Sequence, residues 1–313
     1  MPTGARGRLF TSRRGYFTSQ EGVLSMSMEG AAARNLSEPG NGQGEKWASG
    51  AERTVLQRNP APAGNQATGT LKLIALAFML IDHLGVVVFP QIPEMRILGR
   101  IAFPIYCWCL VVGFHYTRSV PKYLGRILLT GILSQPLYAY VMNHMSTSGI
   151  LWRDLLLSKP NIFLTLFLGL GALWGIREKK LLSSFWAPLA AIFLATALNA
   201  DYGWRGVLFI LLLYAARSTR PGVAAVMIAY FLFWGTSYRV TGSFLGVSFD
   251  VGSLPSWISS PLSAFLRLET YGLLALPFLL IPFRRNLRLP AWVSYGIYPA
   301  HLLVVLLVKT LVR

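Results

Sequence analysis

The sequence predicts an all-α fold: a polytopic bundle of about nine (eight to ten) transmembrane helices behind a flexible N-terminal tail. Three observations carry this. Of 313 residues, 54% are hydrophobic and 13% charged, against roughly 25% charged in soluble domains. Long apolar segments recur from residue 70 onward, as in chains that cross a bilayer repeatedly. Lys and Arg crowd alternate loops between those segments, which is how membrane orientation is written. The formal net charge of +17 therefore belongs to the membrane. No zinc-finger spacing or RNA-binding signature accompanies it, and no nucleic-acid partner is expected.

Residues 1–69 form a separate zone, and residues 70–313 the membrane domain. The zone is rich in Gly, Ala, Ser, Asn and Arg and poor in large apolar residues, too poor to fold alone. It lacks the apolar core of a secretory signal. It reads as a flexible basic tail, or as the product of a start codon placed too early, with Met26 and Met28 as later starts.

Nine apolar segments follow, at 72–89, 97–116, 123–142, 161–176, 183–198, 204–216, 222–236, 270–283 and 291–310. Several are shorter than the ~20 residues of a usual span. The stretch 240–266 is broken by Gly, Pro and Ser and reads as a loop with a re-entrant or interfacial piece. A tenth span there stays open. No repeat of 20–50 residues is visible. One set of loops holds Arg118, Lys122 and Arg126; Arg177, Lys179 and Lys180; Arg217 and Arg220; and Arg284, Arg285 and Arg288. The alternate set is nearly balanced. The basic set should face the cytoplasm, which places the N-terminus inside and suits a bacterial inner membrane.

Ionisable groups lie inside the spans, although each costs about 2.5–3.5 kcal/mol at the bilayer centre on insertion scales. Asp82 and His83 are adjacent in LIALAFMLIDHLGVVVF. About 100° separates them on a helix, so one bundle-facing sector holds both. Their bland reading is a polar pair tying helices together. Arg100 opens the second segment near the same face, either as a fork for carboxylate or phosphate or as a snorkelling interfacial residue. His301 follows Pro299 near mid-depth of the last segment. Ser134 and Gln135, then Asn161 and Thr165, then Asp201 and Arg205 add polar groups at the outer level. A shared pocket opening outward accounts for them together. Cys107 and Cys109 point about 200° apart on one helix and read as apolar filler.

Four stretches carry a resemblance. LKLIALAFMLIDHLG, LGRIAFPIYCWCLVVGFHYTRSVPKYLGRILLTGILSQP, NIFLTLFLGL and YGIYPAHLLVVLLV resemble the TraX family, named for a membrane protein that acetylates the N-terminus of conjugative pilin. The adjacent Asp–His pair and the GRxAFP opening of the second segment are its most specific features. The resemblance covers 70–237 and 291–310; residues 1–69 and 240–269 match nothing in it. The YPAHLL ending is also similar to the final helix of integral-membrane acyltransferases that modify surface glycans. The resemblance implies acetyl transfer from acetyl-CoA, without a metal, to an exported protein or glycan. It carries over Asp82, His83, Arg100, Pro104, Asn161 and His301 as functional positions.

Such chemistry needs a base, an oxyanion donor and a cation for the donor's phosphates. The expected base is His83, with Asp82 orienting or stabilising the imidazole. Arg100 is expected to hold a phosphate or carboxylate. His301 is a second base or an oxyanion partner, and Asn161, Thr165 and Asp201 bind substrate or cofactor. Two other classes stay open: a transporter whose charges line a proton or substrate path, and a non-catalytic assembly factor for a surface appendage. A metal enzyme is weaker, since His83, His115, His144 and His301 show no ligand spacing.

Overall fold

The structure is a computed structural model that describes residues 60–142, 159–235, 243–244, 247–248, 254–287 and 290–312. All lie in the second of two units, Asn59–Arg313. The expected tail up to residue 59, together with His144, lies outside the described residues.

The elements are helical and follow the apolar segments closely. They are α1 (Thr68–Val87), α2 (Pro93–Gly99), α3 (Ala102–Tyr116), α4 (Val120–Met142), α5 (Ile162–Arg177), α6 (Leu181–Ala197), α7 (Gly203–Ala216) and α8 (Arg220–Gly235). Then come α9 (Ser256–Phe265), a 3-10 helix (Leu268–Ala275) running into α10 (Leu276–Leu280), and α11 (Ala291–Val312). Between α8 and α9, β1 (Ser243–Phe244) and β2 (Val247–Ser248) pair antiparallel, Ser243 opposite Ser248. The interfacial piece expected within 240–266 is thus a short pairing and the ten-residue α9; residues between them lie outside the description.

Among the described residues, three stretches are long and apolar enough to cross a membrane: Thr68–Val87, Pro93–Tyr116 and Val293–Val312. Helix α4 has the length, 23 residues, but carries Lys122, Arg126 and Gln135. Helices α5 to α8 are apolar but run 14 to 17 residues, roughly 21–26 Å at 1.5 Å per residue. Nine full-length spans are therefore not what the helices provide.

Successive helices run up and down between two ends. At one end Tyr116 at the close of α3 donates to Gln66 before α1, and Ala63 donates to the carbonyl of Arg217 after α7. Arg118, Lys122, Arg126, Arg220 and Arg285 gather at this basic end by chain position. At the other end α1 closes, α2 opens, and the 3-10 helix begins.

Helix α3 is the central post. Of the three long stretches, Pro93–Tyr116 is 83% buried, against 33% and 22% for the others. It packs on α1, α5, α7 and the 3-10 helix, and Trp108 and Phe114 are fully enclosed. Between α2 and α3 the helix is interrupted at Arg100–Ile101. Pro104 explains this, because it has no N–H for the carbonyl of Arg100 and its ring crowds that carbonyl.

The expected tail boundary at residue 69 moves back. Asn65 is fully buried; its backbone donates to Leu279, its side chain to Phe278, and its carbonyl accepts from the Trp108 indole at 2.7 Å. Composition placed residues 60–67 in the tail because few are large and apolar. Their polar groups are instead paired inside the basic end of the bundle.

Candidate functional site: an ionised chamber with a histidine pair

Helix α11 packs against both α1 and α4. That packing brings His301 to His83, with His83 Nδ1 2.9 Å from His301 Nε2. The rings lie 5.0 Å apart and 28° from parallel. One nitrogen donates and the other accepts, since two lone pairs or two N–H groups would repel at this distance. Tyr298, one turn before His301, meets the His301 ring edge-on at 4.9 Å.

Asp82, one residue earlier, turns to a different partner set. Nη2 of Arg100 donates to both Asp82 oxygens at 2.9 and 3.1 Å, and Nη1 of Arg96 to Oδ2 at 3.0 Å. The other arm of Arg100 donates to Glu269 Oε1 at 2.9 Å. Two cations thus face two carboxylates, and the four charges cancel. Such balance is what makes buried charge tolerable. Gly99 permits it, because a Cβ there would collide with the Asp82 side chain.

These groups line a cavity of about 310 Å³. Asp82, His83, Arg96, Arg100 and Glu269 form its wall with Tyr138, Tyr202 and Tyr298. Asp201 and Lys159 stand at its edge as a pair 2.8 Å apart. The Lys159 side chain is 45% exposed and that of Arg96 33%, so the cavity is reached from this end of the bundle. His301 is absent from the wall. It meets the chamber through two residues of that wall, His83 and Tyr298.

Three expected roles need correction. Asp82 does not orient the His83 imidazole; its oxygens point to arginines, as the 100° step between neighbours dictates. Arg100 has no arm left for a phosphate, because Asp82 and Glu269 occupy both. Asn161 and Thr165 do not line the chamber. Asn161 caps α5 by accepting from Phe163 N–H at 3.0 Å, and it clamps α4 by donating its side-chain amide to Gly131 O and its backbone N–H to Gln135 Oε1, each at 2.9 Å. Thr165 packs its methyl where Gly206 leaves room. Asp201 does sit on the wall.

Glu269, Arg96, Lys159, Tyr138 and Tyr298 were not singled out from the sequence. Glu269 had one visible signal: it is the only acid after Asp250.

Fold and chamber together define a membrane protein of the all-α class, seated in a lipid bilayer, with a charge-neutral polar chamber at one end. The comparisons make this specific. The model of the family described as TraX protein matches residues 67–309, and the chain belongs to the TraX family. It is 32% identical over 166 residues to the probable fimbrial assembly protein FimC, serogroup H1, of Dichelobacter nodosus, covering 52% of this chain and 66% of that one. It is 35% identical over 81 residues to an uncharacterised protein of Rickettsia prowazekii (strain Madrid E), covering 26% of this chain and 31% of that one. The chain therefore spans just under two thirds of the first relative and under a third of the second. No solved structure matches it.

Proposed function

We propose that this chain is an integral-membrane acyltransferase that moves an acetyl group from acetyl-CoA to an exported acceptor. The observation that carries the reading is the 2.9 Å contact of His83 with His301 at the wall of the polar chamber. With Nδ1 bound to His301, the second nitrogen of His83 is the one left for chemistry. His301 is then a positioning residue that fixes the ring and its tautomer.

In the reaction, His83 takes the proton of the acceptor's amine or hydroxyl as its nitrogen or oxygen bonds to the thioester carbon. The carbon–sulfur bond breaks, and the proton passes to the departing thiolate. The products are the acetylated acceptor and free CoA. Arg96 and Tyr138 on the wall are the donors for the developing oxyanion. Asp82, Arg100 and Glu269 hold α1, α2 and the 3-10 helix in register around the chamber.

The polytopic reading places about nine crossings in a bacterial inner membrane, with short helices tilted or shielded by neighbours, the basic end cytoplasmic and the chamber outside. The similarity to a fimbrial assembly protein favours a pilin-type protein acceptor over a surface glycan. It also favours one second reading, a non-catalytic assembly factor. The test is labelled acetyl-CoA given to the full chain in proteoliposomes with a pilin-type peptide. An acetyl-sized mass gain lost in His83→Ala supports transfer. No gain, with assembly in cells unaffected by His83→Ala, supports the assembly factor.

A further inference from the structure

A second cavity, of about 70 Å³, lies between α1, α3, α4, α5 and α11. It shares Ile162 and Tyr298 with the larger chamber and extends from them to Lys72, Tyr123 and Tyr295. Lys72 is in the second turn of α1 and Tyr123 in the first turn of α4, so its far part lies toward the basic end. We propose that this narrow cavity is the passage by which the thioester arm of a nucleotide-bearing acyl donor reaches His83 from the basic end. Lys72 and Arg126 hold the donor's phosphates at its mouth. The proposal rests on the acyl-transfer reading and names where that donor binds.

Three observations fit this occupant. The first is charge. The Arg126 guanidinium stands over the Tyr123 and Tyr295 rings at 5.9 and 6.0 Å, and both rings line the cavity. Among the described residues no carboxylate pairs with Lys72 or Arg126. Two cations with no acid between them suit phosphates. The arginine expected to hold phosphate, Arg100, is held by two carboxylates at the opposite end.

The second is length. Lys72 and His83 are eleven residues apart on one helix, about 17 Å along its axis. A pantetheine arm has nearly the bond count of four or five extended residues, a reach of roughly 15 Å. The third is size and polarity. At about 70 Å³ the cavity is too small for a nucleotide, and its wall is built largely from Leu110, Ile127, Leu166 and tyrosine rings. This suits an extended thioester arm whose nucleotide stays outside. Tyr298 then stands where the two cavities meet, against His301.

The experiment uses the full chain in nanodiscs, with CoA binding and acetyl transfer measured separately. The probes are acetyl-CoA and acetyl-pantetheine, which lacks the nucleotide phosphates. Lys72→Ala/Arg126→Ala is expected to raise the KM for acetyl-CoA by about tenfold or more and to leave that for acetyl-pantetheine unchanged. Ser294→Phe, which fills the passage, is expected to slow transfer from both donors. Normal values for both variants, with the wild type active, overturn the passage alone. CoA bound through Lys72 and Arg126 without any transfer supports the passage and sinks the acetyltransferase. A wild type that neither binds CoA nor transfers acetyl, or a bound lipid that CoA fails to displace, overturns the passage.

Discussion

His83 and His301 are 218 residues apart in the chain and 2.9 Å apart in space, the second presenting its Nε2 to the first. This contact turns an imidazole that is otherwise free to rotate into one with a fixed face toward the chamber. The two rings should therefore be unequal under mutation. His83→Ala is expected to lower the acetyl-transfer rate by about 10²–10⁴-fold, the range of a lost general base. His301→Ala should cost less, because the base survives with its ring unfixed, and His301→Gln should recover part of the loss. Single-turnover transfer in proteoliposomes measures all three, with equal thermal melting as the control for folding.

Arg100 holds two carboxylates from different elements, Asp82 on α1 and Glu269 in the 3-10 helix. Arg100→Ala should destabilise the bundle by about 3–5 kcal/mol, since two buried acids are left facing one cation. Arg100→Lys should recover only part, as an ammonium lacks the planar fork. Glu269→Gln should be milder, because Asp82 still neutralises Arg100. Thermal melting in one detergent ranks the three, and a neutral Arg100→Ala would remove the network from the account.

Gly99→Ala is a test of close approach. An added methyl meets the Asp82 side chain directly, and overpacking of this kind costs about 1–3 kcal/mol. Activity should fall with stability, because the displaced carboxylate disturbs α1 one residue before His83.

Asn161→Ala separates packing from binding. Loss of the cap should cost about 1 kcal/mol, with the bond to Gly131 adding to it. The KM for acetyl-CoA should not change. A selective rise in that KM would return Asn161 to the binding residues.

The helices were legible because hydrocarbon leaves the chain few options. Seven of the nine apolar segments are single α-helices within four residues of their expected ends, while 97–116 is broken at Arg100–Ile101 and 270–283 is a 3-10 helix running into the short α10; backbone polar groups in an apolar medium must bond locally. The break at Arg100 is absent from the expected continuous segment 97–116, although Pro104 accounts for it. Asp82, His83, Arg100 and His301 stood out by being ionisable where ionisation is costly. What the sequence could not supply was pairing. Asp82 had to choose between His83 beside it and arginines on another helix, and only the crossing of α1 and α2 at Gly99 decides that. Glu269 lay beyond any motif, at the mouth of a 3-10 helix. Asn161 has the residue type of a ligand, and only its bonds show it to be a cap. Residues 60–67 hold no large apolar side chain, so nothing in their composition announced that Pro62, Gly64, Asn65 and Ala67 would be buried.

The order in which partners leave the ribosome follows from these separations. Asp82 and Arg100 are 18 residues apart, so the first helical hairpin enters the lipid already carrying its own counterion. Glu269 emerges 169 residues after Arg100, and His301 another helix later. A chain stalled anywhere before its last helix has cancelled much of its charge but owns no coupled imidazoles. On this geometry the His83–His301 pair is the last contact of the site to form, and the proposed transfer would have to wait until the last helix is threaded into the membrane.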